Sequence, residues 1–214
     1  GRNLKFFKNQ LDLEKTLNCG QCFRWKKYKN NYIGSSGKHI AVLEQNNNIF
    51  IVKSDNVSFW KKYFDLDENY NNLIDKNKLD SFALESFKTG IGIKILRQDL
   101  FETIITFIIS QRNNMTRIRN TVNNLSMYGQ TINFEGFKIN LFPTPEEMSE
   151  INLDDFKLGY RKEYIESFIN DILNKKFSLD LLKTMNNNEA LNYLMKVKGI
   201  GIKVASCIML FGMH

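Results

Sequence analysis

The residues with most chemistry to offer stand in the run Leu194-Met-Lys196-Val-Lys198-Gly199-Ile-Gly201-Ile-Lys203-Val-Ala-Ser-Cys207. Two glycines two apart, between an amphipathic stretch and an apolar one, form a tight turn whose backbone N–H groups can approach an anion at the start of the second helix. The run is not a dinucleotide fingerprint, since no strand precedes it and the third glycine is absent, and it lacks the longer Walker-type phosphate loop. A helix-hairpin-helix clasp on a DNA backbone fits it, with Lys196 and Lys198 adding charge alongside. So does a plain helix–helix turn in which both glycines take positive φ. Lys203 falls one residue into the apolar helix, between Ile202 and Val204, where desolvation and the helix dipole both disfavour an ammonium. An amine kept neutral there is the nucleophile that attack on a sugar C1′ requires, with a Schiff base as product. The plainer alternative is a first-turn lysine that reaches out to solvent.

The elements that must hold this turn change character along the chain. In the first third, Cys22 to Lys27 and Asn31 to Ser35 are short strand-like runs, and His39 to Gln45 and Ile49 to Lys53 flank the turn Asn46-Asn47-Asn48, so an antiparallel meander is expected. From Asp55 to Phe64 the period becomes helical, with Ser54 or Asp55 as cap and Val57, Trp60, Tyr63 and Phe64 on one face. A helix over Asp80 to Lys88, ended by Gly90, follows. Beyond it no strand is expected. Asp99 to Ser110 is apolar nearly all round, as a helix buried among helices would be. Thr116 to Tyr128 is amphipathic and stops at Gly129, while Thr144-Pro145-Glu146-Glu147 is a cap, a first-turn proline and acidic first-turn residues. Helices over Leu153 to Leu158, Arg161 to Asn174, Ser178 to Met185, Asn188 to Val197 and Ile202 to Phe211 complete the chain. The fold class is α+β, with an antiparallel β-sheet domain and flanking helices over 1–79 and an all-helical domain over 80–214, its helix-hairpin-helix near 188–211. No internal repeat or low-complexity linker interrupts it, and the abundant asparagines fall in turns and solvated faces.

The chain has 214 residues, 43% hydrophobic and 25% charged, enough for a sizeable core. Thirty lysines and arginines against 23 acidic residues give a formal charge of +7, which favours a polyanionic partner, nucleic acid or an acidic membrane surface. No apolar run approaches the roughly 20 residues of a membrane helix, and Gly1 to Lys8 breaks its apolar residues with lysine, unlike a secretory signal. Cys19, Cys22 and Cys207 cannot all pair, so a reducing, intracellular setting is expected.

Four separated motifs together resemble one family. Gly199-Ile-Gly201-Ile-Lys203-Val-Ala-Ser-Cys207 is similar to the helix-hairpin-helix DNA glycosylases. Gly20-Gln-Cys-Phe-Arg-Trp25, Leu158-Gly-Tyr-Arg161 and Phe107-Ile-Ile-Ser-Gln-Arg-Asn-Asn-Met-Thr-Arg117 narrow the likeness to the 8-oxoguanine DNA glycosylases. The resemblance implies an N-terminal antiparallel sheet packed on a helical body containing the helix-hairpin-helix, and a bifunctional glycosylase/lyase of base-excision repair. Such an enzyme flips 8-oxoguanine out of duplex DNA, cleaves its glycosidic bond through a lysine Schiff base and nicks the strand by β-elimination. By resemblance Lys203 is the catalytic nucleophile. Gly20 supplies a carbonyl to N7–H of the lesion, where ordinary guanine has only a lone pair, and Cys207 lays its sulfur against the flipped base. The opposite-base and wedge set is Arg112, Asn113, Arg117, Tyr160 and Arg161. Tyr160 fills the gap left in the stack, and Arg117 and Arg161 donate to the acceptors of the orphaned cytosine. Lys198, Gly199, Gly201 and Val204 are the implied DNA-phosphate set. No redox or nucleotide cofactor is implied, only a monovalent cation at the hairpin. The implied partner is lesion-bearing double-stranded DNA and not a membrane, bound by a monomer, in the cytoplasm or nucleoid of a bacterium or the nucleus of a eukaryote.

Two positions depart from the family pattern. Arg112 stands where an asparagine is usual, and it is longer, charged and without an acceptor, which bears on the opposite-base preference. Cys22 replaces a serine, a near-isosteric change. The family's catalytic aspartate would lie past His214, so glycosylase turnover by these residues alone is expected to be severely impaired. Asp99, Asp154 and Asp155 belong to other motifs and are not substitutes. Two other functions fit the helix-hairpin-helix: a non-catalytic module that grips DNA, and a glycosylase for alkylated or mismatched bases, which would not need the Gly20 acceptor.

Overall fold

A computed structural model describes residues 3–66 and 92–213. The chain divides into two compact units, one of residues 1–97 with 131–141, the other of 98–130 with 142–214. The helix expected over Asp80 to Lys88, its terminator Gly90 and the domain boundary expected near residue 80 lie outside the described residues.

The first unit is built on a five-stranded antiparallel sheet in the order β1-β5-β4-β3-β2. Its strands are β1 (Leu4–Phe7), β2 (Lys26–Tyr28), β3 (Asn31–Ser36), β4 (His39–Asn46) and β5 (Ile49–Ser54). The expected meander is present, with Asn47 at φ 54° in the β4–β5 turn, but its first strand is Lys26–Tyr28, and the expected stretch from Cys22 to Trp25 is not strand. Strand β1 is an addition to it; it pairs with β5, Leu4 opposite Val52, and buries only Phe6. Helix α1 (Leu13–Leu17) and helix α2 (Val57–Tyr63) flank the sheet sequence. The α2 cap is Asn56, not Ser54 or Asp55, because the Asn56 side chain accepts from the Phe59 N–H. Asp55 is otherwise engaged, accepting from the Ile40 N–H at 3.0 Å and pairing with His39 Nδ1 at 2.7 Å. Val57, expected on the buried face, is exposed, whereas Trp60, Tyr63 and Phe64 join Phe6, Phe50 and Leu43 in the core.

The absence of strands beyond residue 80 is overturned. Thr131–Phe134 (β6) and Phe137–Asn140 (β7) form a hairpin whose turn residues Glu135 and Gly136 both take positive φ, 51° and 80°. Two consecutive left-handed residues give the turn whose twist matches paired strands. This hairpin belongs to the sheet unit. Ile139 and Leu141 join a core with Ile40 and Val42, and the Asn140 carbonyl accepts from Arg24 Nη1 at 3.0 Å and Ser35 Oγ at 2.9 Å.

The second unit is helical. It comprises α3 (Leu100–Ser110), α4 (Met115–Ser126), α5 (Pro145–Ser149), a 3-10 turn at Leu153–Phe156, α6 (Arg161–Leu173), α7 (Leu179–Lys183), α8 (Asn187–Met195) and α9 (Ile202–Gly212). The caps follow the sequence. Asp99, Asn114 and Ser178 accept from first-turn N–H groups, and Thr144 with Glu147 forms the reciprocal capping box announced by Thr-Pro-Glu-Glu. Helix α3 is buried nearly all round, and Phe107 stacks on Phe211 of α9 at 5.4 Å. A Cβ at Gly212 would meet Leu100 and Thr103 at 3.1–3.2 Å, so α3 and α9 pack closely there. Among the described residues no helix is long and apolar enough to cross a membrane.

Candidate functional site

In the helical unit, three segments converge around the turn between α8 and α9. The two turn glycines differ. Gly199 has φ 85°, and a Cβ there would fall 2.3 Å from the Tyr164 ring, so both conformation and space demand glycine. Gly201 does not take the positive φ expected of it. It is the N-cap of α9 at φ −90°, with no side-chain cap and nothing within 4 Å of the place a Cβ would occupy. The first N–H groups of α9 therefore have no side-chain partner at an open helix start, the arrangement that suits an anion.

Lys203 stands in the first turn of α9 and Cys207 one turn further, on the same helix stripe. Cys207 is buried. Lys203 is exposed, against the expectation that its apolar neighbours would desolvate it. The reason is local: the helix begins at the surface, where Ile202 too is 59% exposed, and burial starts only at Ala205. Val204 is half-buried, and Lys196 and Lys198 are exposed beside the turn. Lys198 forms an exposed ion pair with Glu163 of α6.

The second segment is the exit from α3. Gln111 caps that helix and Arg112 follows at φ 45°, an uncommon conformation for a long side chain. Asn113 is occupied locally, donating to the Ile109 carbonyl at 3.0 Å and accepting from the Asn114 N–H at 3.0 Å. The third segment is the start of α6. Tyr160 is 46% exposed, with the Arg161 guanidinium over its ring at 4.6 Å and Tyr164 edge-on at 5.7 Å, so an exposed ring is braced from behind. Arg161 donates to the Gln111 carbonyl through Nε at 2.9 Å and through Nη2, which also reaches the Arg112 carbonyl at 3.0 Å, while Nη1 donates to the Leu158 carbonyl at 3.3 Å.

Beside these residues lies an open polar cleft of about 630 Å³. Arg117, Arg161 and Lys157 face it against a single carboxylate, Asp155, and Asn113, Asn120 and Asn124 add amides. The family motifs in the sequence point to Arg117, Arg161 and Asn113 but not to Lys157, Asn120 and Asn124. The spacing of 117, 120 and 124 along the polar side of an amphipathic helix is the signal that could have found the two asparagines. A cation at the hairpin would rest on backbone carbonyls, since among the described residues no three His, Cys, Asp or Glu side chains converge. Of those carbonyls, Gly199's already accepts from Gln111 Nε2 at 2.7 Å.

Gly20 belongs to the sheet unit and is half-buried at φ 91°. Its loop is stapled by the buried Gln21, which donates to the Thr16 and Lys94 carbonyls at 3.1 and 2.7 Å and accepts from the Leu96 N–H at 2.8 Å. Among the described residues no hydrogen bond engages the Gly20 carbonyl. Cys19 beside it is buried, and burial pushes its thiol up, outweighing the hydrogen bonds at Gln21.

Residues 3–104 match the family model for the N-terminal domain of 8-oxoguanine DNA glycosylase. The solved Clostridium acetobutylicum 8-oxoguanine glycosylase/lyase in complex with double-stranded DNA containing cytosine opposite 8-oxoG has a TM-score of 0.81 at 34% identity, over 95% of this chain and 73% of that one. The chain belongs to the 8-oxoguanine DNA glycosylase family. Among curated members it is 32% identical to the N-glycosylase/DNA lyase of Saccharomyces cerevisiae, over 97% of this chain, and 31% identical to that of Arabidopsis thaliana, over 98%. It spans 64% and 63% of the length of these two glycosylases.

Proposed function

We propose that this chain carries the strand-gripping turn and the nucleophile of a base-excision glycosylase/lyase acting on 8-oxoguanine in duplex DNA. The observation that carries the proposal is a single 11-residue helix that combines an uncapped N-terminus, Lys203 in its first turn and Cys207 one turn on. A phosphate held at the start of α9 brings a nucleotide to the helix end from which Lys203 projects. The deprotonated Lys203 Nζ attacks C1′, and the bond from C1′ to the base nitrogen breaks with its electron pair leaving on the base. The nitrogen's proton passes to O4′ as the C1′–O4′ bond opens, and the resulting C1′=N imine acidifies C2′–H, so that loss of that proton expels the 3′ phosphate. The resemblance assigns the Gly20 carbonyl, unengaged among the described residues, as the acceptor for N7–H of the lesion, and normal guanine would set two acceptors face to face, a mismatch of about 1–3 kcal/mol. The exposed, braced Tyr160 ring is suited to replace the extruded base in the stack, recovering part of the few kcal/mol that flipping costs. Monomeric action on duplex DNA with Arg117 and the cleft residues turned to the opposite strand belongs to the same proposal.

Borohydride trapping tests it. With a duplex bearing an abasic site, which reaches the Schiff base without base excision, the wild-type protein should give a covalent adduct that Lys203→Gln abolishes. An adduct that survives Lys203→Gln, or a wild type that gives none, overturns the assignment of Lys203. The exposure of Lys203 favours a second reading, a DNA-gripping module without chemistry; salt-sensitive duplex binding with no adduct would be its signature.

A further inference from the structure

Gln111 carries no role in the readings above, yet three segments of the helical unit meet on it. Its side-chain amide donates to the Gly199 carbonyl in the α8–α9 turn at 2.7 Å, across 88 residues of sequence. Its own carbonyl accepts from Arg161 Nε at 2.9 Å and from the Tyr160 hydroxyl at 3.4 Å. The next residue is Arg112 at φ 45°, whose carbonyl is also held by Arg161. The left-handed backbone at Arg112 is uncommon for a long side chain and persists only where its surroundings fix it. Here they are the Arg161 fork and the Gln111 amide. A shift of the turn on gripping a phosphate would pull on the Gly199 carbonyl, and the Gln111 side chain carries that pull to Arg112 and Tyr160 by hydrogen bonds, alongside the packing of Tyr164 between Gly199 and Tyr160.

We infer that Gln111 is a positioning residue that couples the phosphate-gripping turn to the wedge Tyr160 and the opposite-base loop at Arg112. The inference rests on the glycosylase proposal and adds to it a residue acting through others, not on the reacting atoms. Hydrogen-bond loss alone would be indifferent to pH, so the informative variant is Gln111→Glu. A carboxylate there sets acceptor against acceptor at Gly199, whereas the protonated acid donates its O–H and restores the link.

The experiment uses a duplex with 8-oxoguanine opposite cytosine and 2-aminopurine next to the lesion, whose fluorescence rises on unstacking. Affinity for undamaged duplex is measured alongside. Gln111→Leu should keep undamaged-duplex affinity within about threefold and lose about tenfold in the unstacking rate. Gln111→Glu should match that loss at pH about 7.5 and recover towards wild type at pH about 4, below the ordinary glutamic acid value near about 4.3, a recovery Gln111→Leu does not share. Should Gln111→Leu fold poorly, the pH recovery of Gln111→Glu still decides the matter. Wild-type unstacking kinetics in Gln111→Leu, or no recovery in Gln111→Glu, overturn the inference alone. No unstacking by the wild-type protein overturns the glycosylase proposal and this inference with it.

Discussion

At Gly136 and at Gly199 the backbone takes nearly the same left-handed φ, 80° and 85°, but the two turns sit in different surroundings. The β6–β7 turn has open space beside Gly136, while the Tyr164 ring lies against Gly199. The first glycine is needed for conformation alone, so asparagine or aspartate could replace it. The second is needed for conformation and for the close approach of α6, so nothing could. Gly201, two residues on, is needed for neither, and what it leaves is clear space above an uncapped helix start. Glycine without a folding reason next to glycine with two is what a ligand-facing turn should look like.

Substitution to alanine breaks or sharpens this contrast. Gly199→Ala should lose about 2–4 kcal/mol, strain and overpacking together, seen as a fall in denaturation midpoint. Gly136→Ala should lose only about 1 kcal/mol, and Gly136→Asn less. Gly201→Ala, which gives up only glycine's preference at an N-cap, should cost under about 1 kcal/mol yet weaken duplex binding several-fold, without changing the slope of affinity against salt because no charge is removed. Equal stability losses at 199 and 201 would remove the distinction. A joint in the sheet unit works by charge, not shape, and gives the smallest effect. Burial raises the Asp55 carboxyl, but the Ile40 N–H, His39 and Trp60 outweigh it and hold it below the ordinary carboxylate range. A group depressed in the folded state contributes above its unfolded value near about 3.9 and loses that contribution as pH falls through the folded one. The melting difference between wild type and Asp55→Asn should therefore be present at neutral pH and shrink below pH about 4.

Features whose causes are local in sequence were legible. The Thr144 capping box needs only four consecutive residues, and the all-round apolar run at Leu100–Ser110 announces its burial. The β6–β7 hairpin was not, because its strands have only four residues each and lie between helices, where Ile132, Phe134, Phe137 and Ile139 do not stand out. Strand β1 depends on pairing with β5 some 45 residues away, and its own pattern buries one side chain. At the candidate site, the glycines and Lys203 were legible by type and spacing, but the exposure of Lys203 depends on where the helix emerges. Gln111 was invisible for a related reason: its amide partner lies in another segment.

The two tryptophans, Trp25 and Trp60, both belong to the sheet unit, with ring centroids 5.7 Å apart and Trp25 Nε1 donating to the Tyr63 hydroxyl. Indole emission is consequently a reporter of that unit alone, and the helical unit that carries the turn, the wedge and Lys203 is dark at the wavelengths that excite tryptophan selectively. A melt followed by emission beside one followed by far-ultraviolet ellipticity would thus resolve whether the two units come apart together, with no label added.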